Sequence, residues 1–179
     1  MKKSMKAITI IAILATIIFI ILYRNTRNGV CLSLAITAGT ITYHFVMRYI
    51  VAGIFRCVMH NQADLSKRWY QQKNWEKHIY QKLHVKQWKG KMPTYDPDSF
   101  DLKLHTPREI AGAMCQAELS HEIIVVLSFL PLLAVPVFGA FWVFLITSTF
   151  AALLDLMFVI MQRYNRPRIL NLCRKRNQW

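Results

Sequence analysis

The sequence predicts an all-α integral membrane protein with about four transmembrane helices and a basic amphipathic cytoplasmic segment between the second and third helices. Only 18% of the residues are charged, whereas an average soluble domain carries about 25%. Residues 7–22, 30–47 and 123–154 contain no Asp, Glu, Lys or Arg, and uncharged stretches of about 18 or more residues indicate membrane spans. We therefore expect residues 1–179 to form a single membrane domain.

The charge that is present is almost all of one sign. The 23 Lys and Arg residues outnumber nine Asp and Glu residues, which gives a net charge of +14, so the polar parts of the chain suit acidic lipid or phosphate. The membrane spans exclude a soluble DNA-binding domain. The four cysteines are widely spaced, with two of them in or beside a span, which excludes a disulfide-built secreted domain.

The first two predicted spans cover about 5–23 and 29–54. Three lysines precede the first apolar stretch, as in a signal peptide, but Tyr23 and Arg24 follow it where small residues would mark a cleavage site. We therefore expect an uncleaved anchor. The second stretch is expected to continue as one helix to about Met59.

The long uncharged stretch near the C-terminal end holds two spans joined by a turn. It is too long for one span and too short for two complete ones, and Pro136 and Gly139 mark the turn. We expect the third span at about 115–136 and the fourth at about 139–162.

Local signals predict where the last two long helices begin and end. Thr106 is an N-cap residue, Pro107 occupies the first helical position, and Glu109 completes a capping box. The third helix is therefore expected to begin at Pro107. Pro167 disfavours a helical conformation at Arg166, so the fourth helix is expected to end there.

The basic residues orient the helices. Lys and Arg are concentrated before the first helix, between residues 67 and 108, and from residue 163 onward, whereas the loop between helices 1 and 2 has two and the turn between helices 3 and 4 has none. Positive residues favour the cytoplasmic side. Both termini of a multi-pass cell-membrane protein are therefore expected in the cytoplasm.

Residues 60–106 form the one long polar segment, which we expect to be cytoplasmic and interfacial. Basic residues alternate there with tryptophans and tyrosines, and Trp75, Ile79 and Leu83 fall at i, i+4 and i+8. Such a basic amphipathic helix is expected to lie among lipid headgroups. The alternatives are a docking site for a phosphate-bearing substrate and, in poor agreement with four spans, a site for single-stranded nucleic acid.

Residues 92–100 are expected to form turns and loop, since they combine two prolines with Asp and Ser residues. Asp96, Asp98 and Asp101 could ligate a divalent ion, but the glycine and the terminal glutamate of a calcium loop are missing from this stretch. We therefore expect no metal site.

The third helix carries a candidate catalytic pair. Glu118 and His121 are three residues apart, about 60° around a helix, so the carboxylate can orient the imidazole as a general base. A structural polar pair is the alternative, but ionisable groups at membrane depth are costly and mark functional sites. A zinc protease is excluded because Val125 stands where HExxH needs its second histidine. Cys115 does not share a helix face with His121, which excludes a Cys–His nucleophile.

Helix length places four polar residues in one layer. Counting about 1.5 Å per residue from the extracytoplasmic helix ends, the layer lies near the cytoplasmic boundary of the hydrocarbon core and contains His44, Arg48, Glu122 and Asp155. Isolated charges are costly there and are expected to pair. We predict that Arg48 forms an ion pair with Glu122 or Asp155, in a layer that floors a pocket open to the inner leaflet. A structural clamp between helices is the alternative.

The fourth helix ends in an unusual polar motif, QRYNRPR, from Gln162 to Arg168. Arginine guanidinium groups bind phosphate or carboxylate bidentately, and a turn stiffened by proline would hold two of them beside an asparagine amide. A positive-inside anchor explains the arginines but not the Gln, Asn and Pro among them. The motif therefore favours a binding role.

The sequence contains four motifs that one enzyme family has in the same order and at similar spacing. They are Trp75-Glu76 with Ile79-Tyr80, Val85-Lys86 with Trp88-Lys89, Ala117-Glu118 with His121, and QRYNRPR. The chain resembles the glycosyl-diaponeurosporenoate acyltransferase family over about residues 69–170, and QRYNRPR is the most specific of the motifs. It departs from the family pattern at Gln116, where an arginine is expected. No motif covers His44 and Arg48 on helix 2.

The resemblance implies an integral membrane acyltransferase that esterifies a sugar hydroxyl of a membrane glycolipid with a fatty acyl group. In the namesake pathway, staphyloxanthin synthesis, the acceptor is a glycosylated carotenoid acid, whereas nothing in this sequence identifies a carotenoid. The implied partners are membrane lipids, a glycolipid acceptor and an acyl-CoA-like donor that acts as a substrate. We expect no further cofactor and no nucleic acid.

Acyl transfer to a hydroxyl needs a base, donors to the oxyanion and a site for the donor's phosphates. We expect His121, oriented by Glu118, to be the base, and Asn165 or Tyr164 to donate to the oxyanion. The candidates for substrate binding are Arg166, Arg168, Lys86 and Lys89 for the phosphates, together with Arg163, Gln162, Trp75, Trp88, His44 and Arg48.

Two alternatives from other functional classes remain. One is a non-catalytic membrane factor that binds anionic lipid or a partner enzyme through its basic segment. The other is a lipid-linked glycosyltransferase that uses Asp96 and Asp98 on a metal–nucleotide complex.

Overall fold

The computed structural model describes residues 2–175, and that range is built of helices and loops with no β-strand. Four of its helices are long: α1 (Lys2–Thr26), α2 (Gly29–Met59), α5 (Pro107–Leu127) and α7 (Phe141–Lys175). Three more α-helices in the same range are short: α3 (Asn74–Lys82), α4 (Val85–Trp88) and α6 (Val135–Phe138).

The predicted fold class is confirmed. Among the described residues, four helical stretches are long and apolar enough to cross a membrane: Lys3–Thr26, Gly29–Met59, Pro107–Phe138 and Phe141–Leu172. Apolar side chains along α1 are largely exposed, with Ile11 at 65%, as a helix surrounded by lipid requires. The chain is therefore an all-α membrane protein. The cytoplasmic location of its termini stays a prediction, and Met1 and residues 176–179 lie outside the described residues.

The described chain divides into two compact units. The apolar unit comprises residues 2–51 and 123–154, and the charged unit comprises residues 52–122 and 155–175. Helices α2, α5 and α7 each contribute residues to both units. The expectation that residues 1–179 form a single membrane domain stays a prediction.

In the apolar unit, α1 and α2 pack through small side chains. Ala35, Ala38 and Thr40 on α2 are buried, and the hydroxyl oxygens of Thr16 and Thr42 lie 3.1 Å apart across the two helices. Small residues let helix backbones approach closely in apolar surroundings, where no hydrophobic effect drives association.

The third long helix ends earlier than predicted. The expected span of about 115–136 lies within the apolar helical stretch Pro107–Phe138, but the regular α-helix α5 ends inside it at Leu127, and a 3₁₀ helix, Leu130–Ala134, follows. Pro131 has no N–H to donate to the carbonyl group of Leu127. The hydroxyl of Tyr43 donates to that carbonyl instead, at 2.8 Å, so the interruption leaves the backbone oxygen satisfied.

The fourth long helix continues past its predicted end. We expected it to end at Arg166, but Pro167 lies inside α7. Proline keeps a helical φ and loses one hydrogen bond, and its restriction on the preceding residue is only a preference. Arg166 is held in the helix by buried contacts with Glu118 and with the carbonyl oxygen of Tyr70, which outweigh that preference.

Two other local signals are confirmed. The capping box forms at the start of α5: the Thr106 N–H donates to Glu109 Oε2 at 2.8 Å, and the Glu109 N–H donates to Thr106 Oγ1 at 3.3 Å. The predicted turn before α7 contains Gly139, whose φ of 66° lies in the left-handed region that favours glycine.

In the charged unit, the turn that follows α2 packs directly on α5. A Cβ atom at Gly112 would lie 2.6 Å from the carbonyl oxygen of Asn61, so this approach needs a glycine. Gln116, one helical turn later, accepts a hydrogen bond from the Asn61 N–H at 2.7 Å. The glutamine at the position where an arginine is expected therefore fastens this turn to α5.

The polar segment contains an amphipathic helix where the sequence predicts one. Trp75, Ile79 and Leu83 are exposed at 56%, 40% and 46%, while Glu76 and Tyr80 are buried on the other face of α3. Its location among lipid headgroups stays a prediction.

Candidate active site

Four charged side chains from three helices of the charged unit form an ion-pair cluster: Glu76 on α3, Glu118 on α5, and Arg163 and Arg166 on α7. Arg163 donates to Glu118 Oε1 at 2.6 Å and to Glu76 Oε1 at 2.7 Å. Arg166 donates to the second carboxylate oxygen of Glu118 and to the carbonyl oxygen of Tyr70. The carboxylate of Glu118 therefore lies between two guanidinium groups.

The ion-pair cluster is buried. The exposed fractions of Glu118, Arg166 and Glu76 are 0%, 2% and 3%. Buried charges are tolerated when they are paired and hydrogen-bonded, and removing one partner of such a pair costs about 3–5 kcal/mol because it leaves an uncompensated charge. The cluster therefore fixes the arrangement of α3, α5 and α7 in the charged unit.

Neighbouring polar groups fasten the polar segment to the same cluster. Arg163 also donates to the carbonyl oxygen of Trp69 at 3.1 Å, and the indole N–H of Trp69 donates to Glu122 at 3.1 Å. The hydroxyl of Tyr80 donates to Glu76 Oε2 at 2.8 Å. Burial, and then this hydrogen bond, raise the pKa of Tyr80 well above its usual value, so the hydroxyl stays protonated and remains a donor.

The expectation that Glu118 orients His121 is wrong. His121 Nδ1 lies 2.8 Å from Asp155 Oδ1 on α7, whereas both carboxylate oxygens of Glu118 accept hydrogen bonds from arginines. Glu118 is near enough along the helix to reach the imidazole, but charge-assisted bonds from two guanidinium groups are stronger than one from a neutral ring. We call His121 and Asp155 the His–Asp pair.

The geometry of the His–Asp pair suits a general base. A carboxylate that accepts the Nδ1–H proton fixes the tautomer with a lone pair on Nε2. The ring of Phe158 stacks on that of His121 with centroids 4.7 Å apart and an angle of 12° between the planes, which holds the imidazole in one orientation. The His121 side chain keeps 24% of its surface exposed, against 1% for Asp155.

A second group of polar residues, the cation cluster, consists of Lys89 and Arg168, which lie over the ring of Tyr164, and of Lys86, whose charge acts on Lys89. Lys89 Nζ donates to Asn165 Oδ1 at 2.6 Å and lies 4.9 Å from the centre of the Tyr164 ring. Arg168 Cζ lies 3.6 Å from the same centre. No carboxylate of the described chain lies within 4.0 Å of these three cations. Burial, followed by the positive charges of Arg168 and Lys86, lowers the pKa of Lys89.

The basic residues expected to bind substrate in this part of the chain therefore separate into two groups. Arg163 and Arg166 bind protein carboxylates, and Arg166 is 2% exposed. Arg168 and Lys86 are exposed and Lys89 is half-buried. The difference follows from position along α7. Arg163 and Arg166 reach Glu118 or Glu76, whereas Arg168 forms no ion pair with either carboxylate.

The aromatic and amide candidates are placed as follows. Gln162 and Tyr164 are buried, at 6% and 8% exposure, and the ring of Tyr164 packs edge-on against that of Tyr80 with centroids 5.6 Å apart. Trp88 packs on this aromatic core, and its indole N–H donates to a backbone carbonyl at 2.9 Å. Trp75 is exposed on α3.

The two candidates on α2 lie in the apolar unit. His44 is buried, at 5% exposure. Arg48 donates to the carbonyl oxygens of His44 and Ala151 at 2.8 Å and 3.4 Å. The expected ion pair of Arg48 with Glu122 or Asp155 stays a prediction.

Sequence reasoning missed the roles of two carboxylates. The sequence offers Asp155 only as one of two possible partners of Arg48 and does not connect it with His121, and it marks Glu76 only as part of a family motif. A usable signal existed for Glu76, because it is the one acidic residue among the many basic residues of 67–91. The partner of His121 had no such signal, since it lies 34 positions away.

The aspartate-containing loop is irregular, as expected, apart from a 3₁₀ helix, Pro97–Phe100. Asp96 accepts a hydrogen bond from Ser99 at 3.2 Å and forms an ion pair with Arg56 at 3.4 Å. Within the described part of the chain, no group of three or more His, Cys, Asp and Glu side chains is placed to hold a metal ion.

Comparison with known proteins adds one family. A family model described as glycosyl-4,4'-diaponeurosporenoate acyltransferase matches residues 66–175, which is more than half of the chain. No curated protein and no solved structure matches the chain. The matched range contains the ion-pair cluster, the His–Asp pair and the cation cluster.

Proposed function

Because the chain belongs to the glycosyl-4,4'-diaponeurosporenoate acyltransferase family, we propose that it transfers a fatty acyl group from an acyl-CoA-like donor to a sugar hydroxyl of a membrane glycolipid. Family membership makes the chain an acyltransferase with an acyl donor and a glycolipid acceptor as substrates. It disfavours the non-catalytic factor and the glycosyltransferase as alternatives. The sugar hydroxyl and the phosphate-bearing donor are the parts that we add.

The observation that carries the proposal is the 2.8 Å contact between His121 Nδ1 and Asp155 Oδ1. With its tautomer held by Asp155, His121 takes the proton of the sugar hydroxyl on Nε2 as the oxygen attacks the acyl carbonyl carbon. The carbon–sulfur bond of the thioester then breaks, and the departing sulfur takes the proton from Nε2. The products are a sugar ester and a free thiol.

The donor's phosphates bind at the cation cluster in this proposal. Lys86, Lys89 and Arg168 carry positive charge that no described carboxylate compensates, and Arg168 supplies a guanidinium fork that matches a phosphate. Asn165 adds a neutral N–H donor, because its side-chain oxygen already accepts from Lys89.

Asn165 and Tyr164 are better assigned to the donor's phosphates than to the oxyanion. Asn165 lies seven positions along α7, about 10 Å of helix, after Phe158, the residue stacked on His121. An oxyanion donor has to lie about 3 Å from the developing charge. The distance instead suits a long donor whose reacting carbonyl lies at the His–Asp pair and whose phosphates lie at the cation cluster.

The test is an acyl-transfer assay with the purified protein in detergent. The protein is incubated with labelled acyl-CoA and extracted membrane glycolipids, and the expected product is a new labelled lipid ester that alkali cleaves. His121→Ala is expected to abolish most of this product, and His78→Ala, which changes an exposed histidine outside the site, is the matched control.

Two outcomes would overturn the proposal. Failure to transfer label from any acyl donor would support the non-catalytic lipid-binding factor. A requirement for Mg²⁺ or Mn²⁺ with transfer of sugar from a nucleotide would support the glycosyltransferase.

A further inference from the structure

The exposed charged side chains of the polar segment between residues 67 and 91 are all basic. The segment contains eight basic residues: Lys67, Arg68, Lys73, Lys77, Lys82, Lys86, Lys89 and Lys91. Its one acidic residue is Glu76, which is 3% exposed and bound to Arg163. None of the eight makes an ion pair with another described residue. Their counterions therefore have to come from outside the described chain.

Helix α3 adds an apolar stripe to this surface. Trp75, Ile79 and Leu83 lie at successive helical turns and are 56%, 40% and 46% exposed. Lys73 and Lys82 flank the stripe, with Lys73 Nζ 5.9 Å from the centre of the Trp75 ring. An apolar stripe bordered by lysines is the pattern of a helix that lies in a membrane surface.

The ion-pair cluster fixes which face of α3 turns outward. Glu76 is bound to Arg163 at 2.7 Å, and the ring of Tyr80 packs on that of Tyr164. Glu76 and Tyr80 are one helical turn apart and hold the inner face at two points. The helix cannot rotate about its axis without breaking these buried contacts, so Trp75 and Ile79 remain exposed.

We propose that α3 docks on a bilayer surface that carries anionic phospholipid. The apolar stripe inserts at the boundary between headgroups and acyl chains, and Lys73 and Lys82, which flank it, bind the lipid phosphates. The docking is a property of the exposed surface and does not depend on the proposed acyl-transfer reaction. Single-stranded RNA fits the basic charge but leaves the aliphatic side chains of Ile79 and Leu83 without a role, because RNA offers flat bases for stacking.

The test measures the depth of two labels on α3. The full-length protein, with Cys31, Cys57 and Cys173 replaced and the fully buried Cys115 retained, carries a nitroxide at Ile79→Cys or, as the matched control, at Lys77→Cys. Lys77 is exposed two positions away, on another side of the same helix. Each protein is placed in lipid discs of phosphatidylcholine alone or with about a third of phosphatidylglycerol.

We expect oxygen to collide with the label at 79 more often than a water-soluble nickel chelate does, and the reverse at 77. Adding anionic lipid is expected to lower nickel access at 79 about fivefold, and high salt is expected to restore it. The proposal is overturned if nickel reaches both labels equally in anionic discs, or if the protein binds single-stranded RNA while the label at 79 stays open to nickel.

A measurement on the unmodified protein guards against damage by the labels. Backbone amides of residues 74–88 are expected to exchange hydrogen about fivefold more slowly in anionic discs than in neutral discs, since docking suppresses local opening. Amides of residues 92–100, a loop in the same unit, serve as the internal control. Equal exchange of residues 74–88 in the two kinds of disc would refute the docking of α3.

Discussion

The apolar unit and the charged unit satisfy their polar groups in different ways. In the apolar unit, hydroxyls commonly donate to a carbonyl one turn earlier in the same helix, as Thr37 does to Ser33 at 2.9 Å. In the charged unit, key side chains bind partners far away in the sequence, as Arg163 does to Glu118, 45 positions earlier. The first kind of contact forms with the helix itself, and the second forms only when helices pack.

This difference indicates where single substitutions have large effects. Polar contacts between membrane helices contribute about 0.6 kcal/mol on average, whereas breaking a buried ion pair costs about 3–5 kcal/mol. The charged unit depends on a few buried partners, and the apolar unit depends on many small contacts. Substitutions in the two units therefore test the comparison directly.

The largest effect is expected for Glu118→Gln. The change leaves two arginines, Arg163 and Arg166, with a single carboxylate, that of Glu76, in the ion-pair cluster. We therefore expect a loss of about 3–5 kcal/mol in the free energy of unfolding. The thermal midpoint and the yield of folded protein in detergent measure the effect. If Glu118 instead oriented His121, the variant would fold normally and lose only turnover.

His121→Ala is expected to lower turnover about 10²–10⁴-fold because it removes the base. It is expected to lower the thermal midpoint less than Glu118→Gln does, because Asp155 loses one hydrogen-bond partner whereas Glu118→Gln affects two arginines. Asp155→Asn is expected to lower turnover less, since the imidazole remains. Rates are compared at matched amounts of folded protein. Activity close to wild type in His121→Ala would disprove the assignment of the base.

Arg168→Lys and Arg166→Lys separate the two groups of arginines. Arg168→Lys keeps the charge but loses the guanidinium fork, so we expect the KM for the acyl donor to rise about tenfold with kcat unchanged. Arg166→Lys is expected to lower the thermal midpoint without a selective change in KM. A normal donor KM in Arg168→Lys would remove Arg168 from the donor site.

The pH dependence of donor binding tests Lys89. Its pKa is lowered, first by burial and then by Arg168 and Lys86, so it loses its proton at a lower pH than an ordinary lysine. Only the charged ammonium attracts phosphate, so affinity is full below the lowered pKa and falls as pH rises through it. We expect the donor KM of the wild type to rise in that range and that of Lys89→Arg to stay flat. Identical KM profiles in the two proteins would contradict the role.

The smallest effect is expected for Thr42→Val in the apolar unit. The substitution removes the contact with the Thr16 hydroxyl, 3.1 Å away, and each threonine of a helix can donate to its own backbone. We expect a loss of about 1 kcal/mol or less, measured as a small shift in the thermal midpoint. A loss as large as that of Glu118→Gln would show that the two units do not differ in this way.

The sequence by itself determined the four long helices and approximately where they begin, but not where α5 and α7 end. Uncharged stretches predicted the spans, the capping box predicted the start of α5 at Pro107, and Gly139 marked the turn before α7. Each of these features depends on residues within a few positions of one another, because helix formation, capping and membrane insertion respond to local composition. The family was likewise predictable from four short motifs and their order along the chain, and the match over residues 66–175 confirms it.

Only the tertiary structure decided the partners of the charged residues. Glu118 lies three residues from His121, yet it binds Arg163 and Arg166, and His121 binds Asp155. The same buried contacts carry α7 through Pro167, where the sequence predicts an end. A basic chain offers several donors to each carboxylate. The donor that binds is the one that helix packing brings close to the carboxylate while water is excluded. Spacing along one helix cannot reveal that competition, because the competitors lie on other helices.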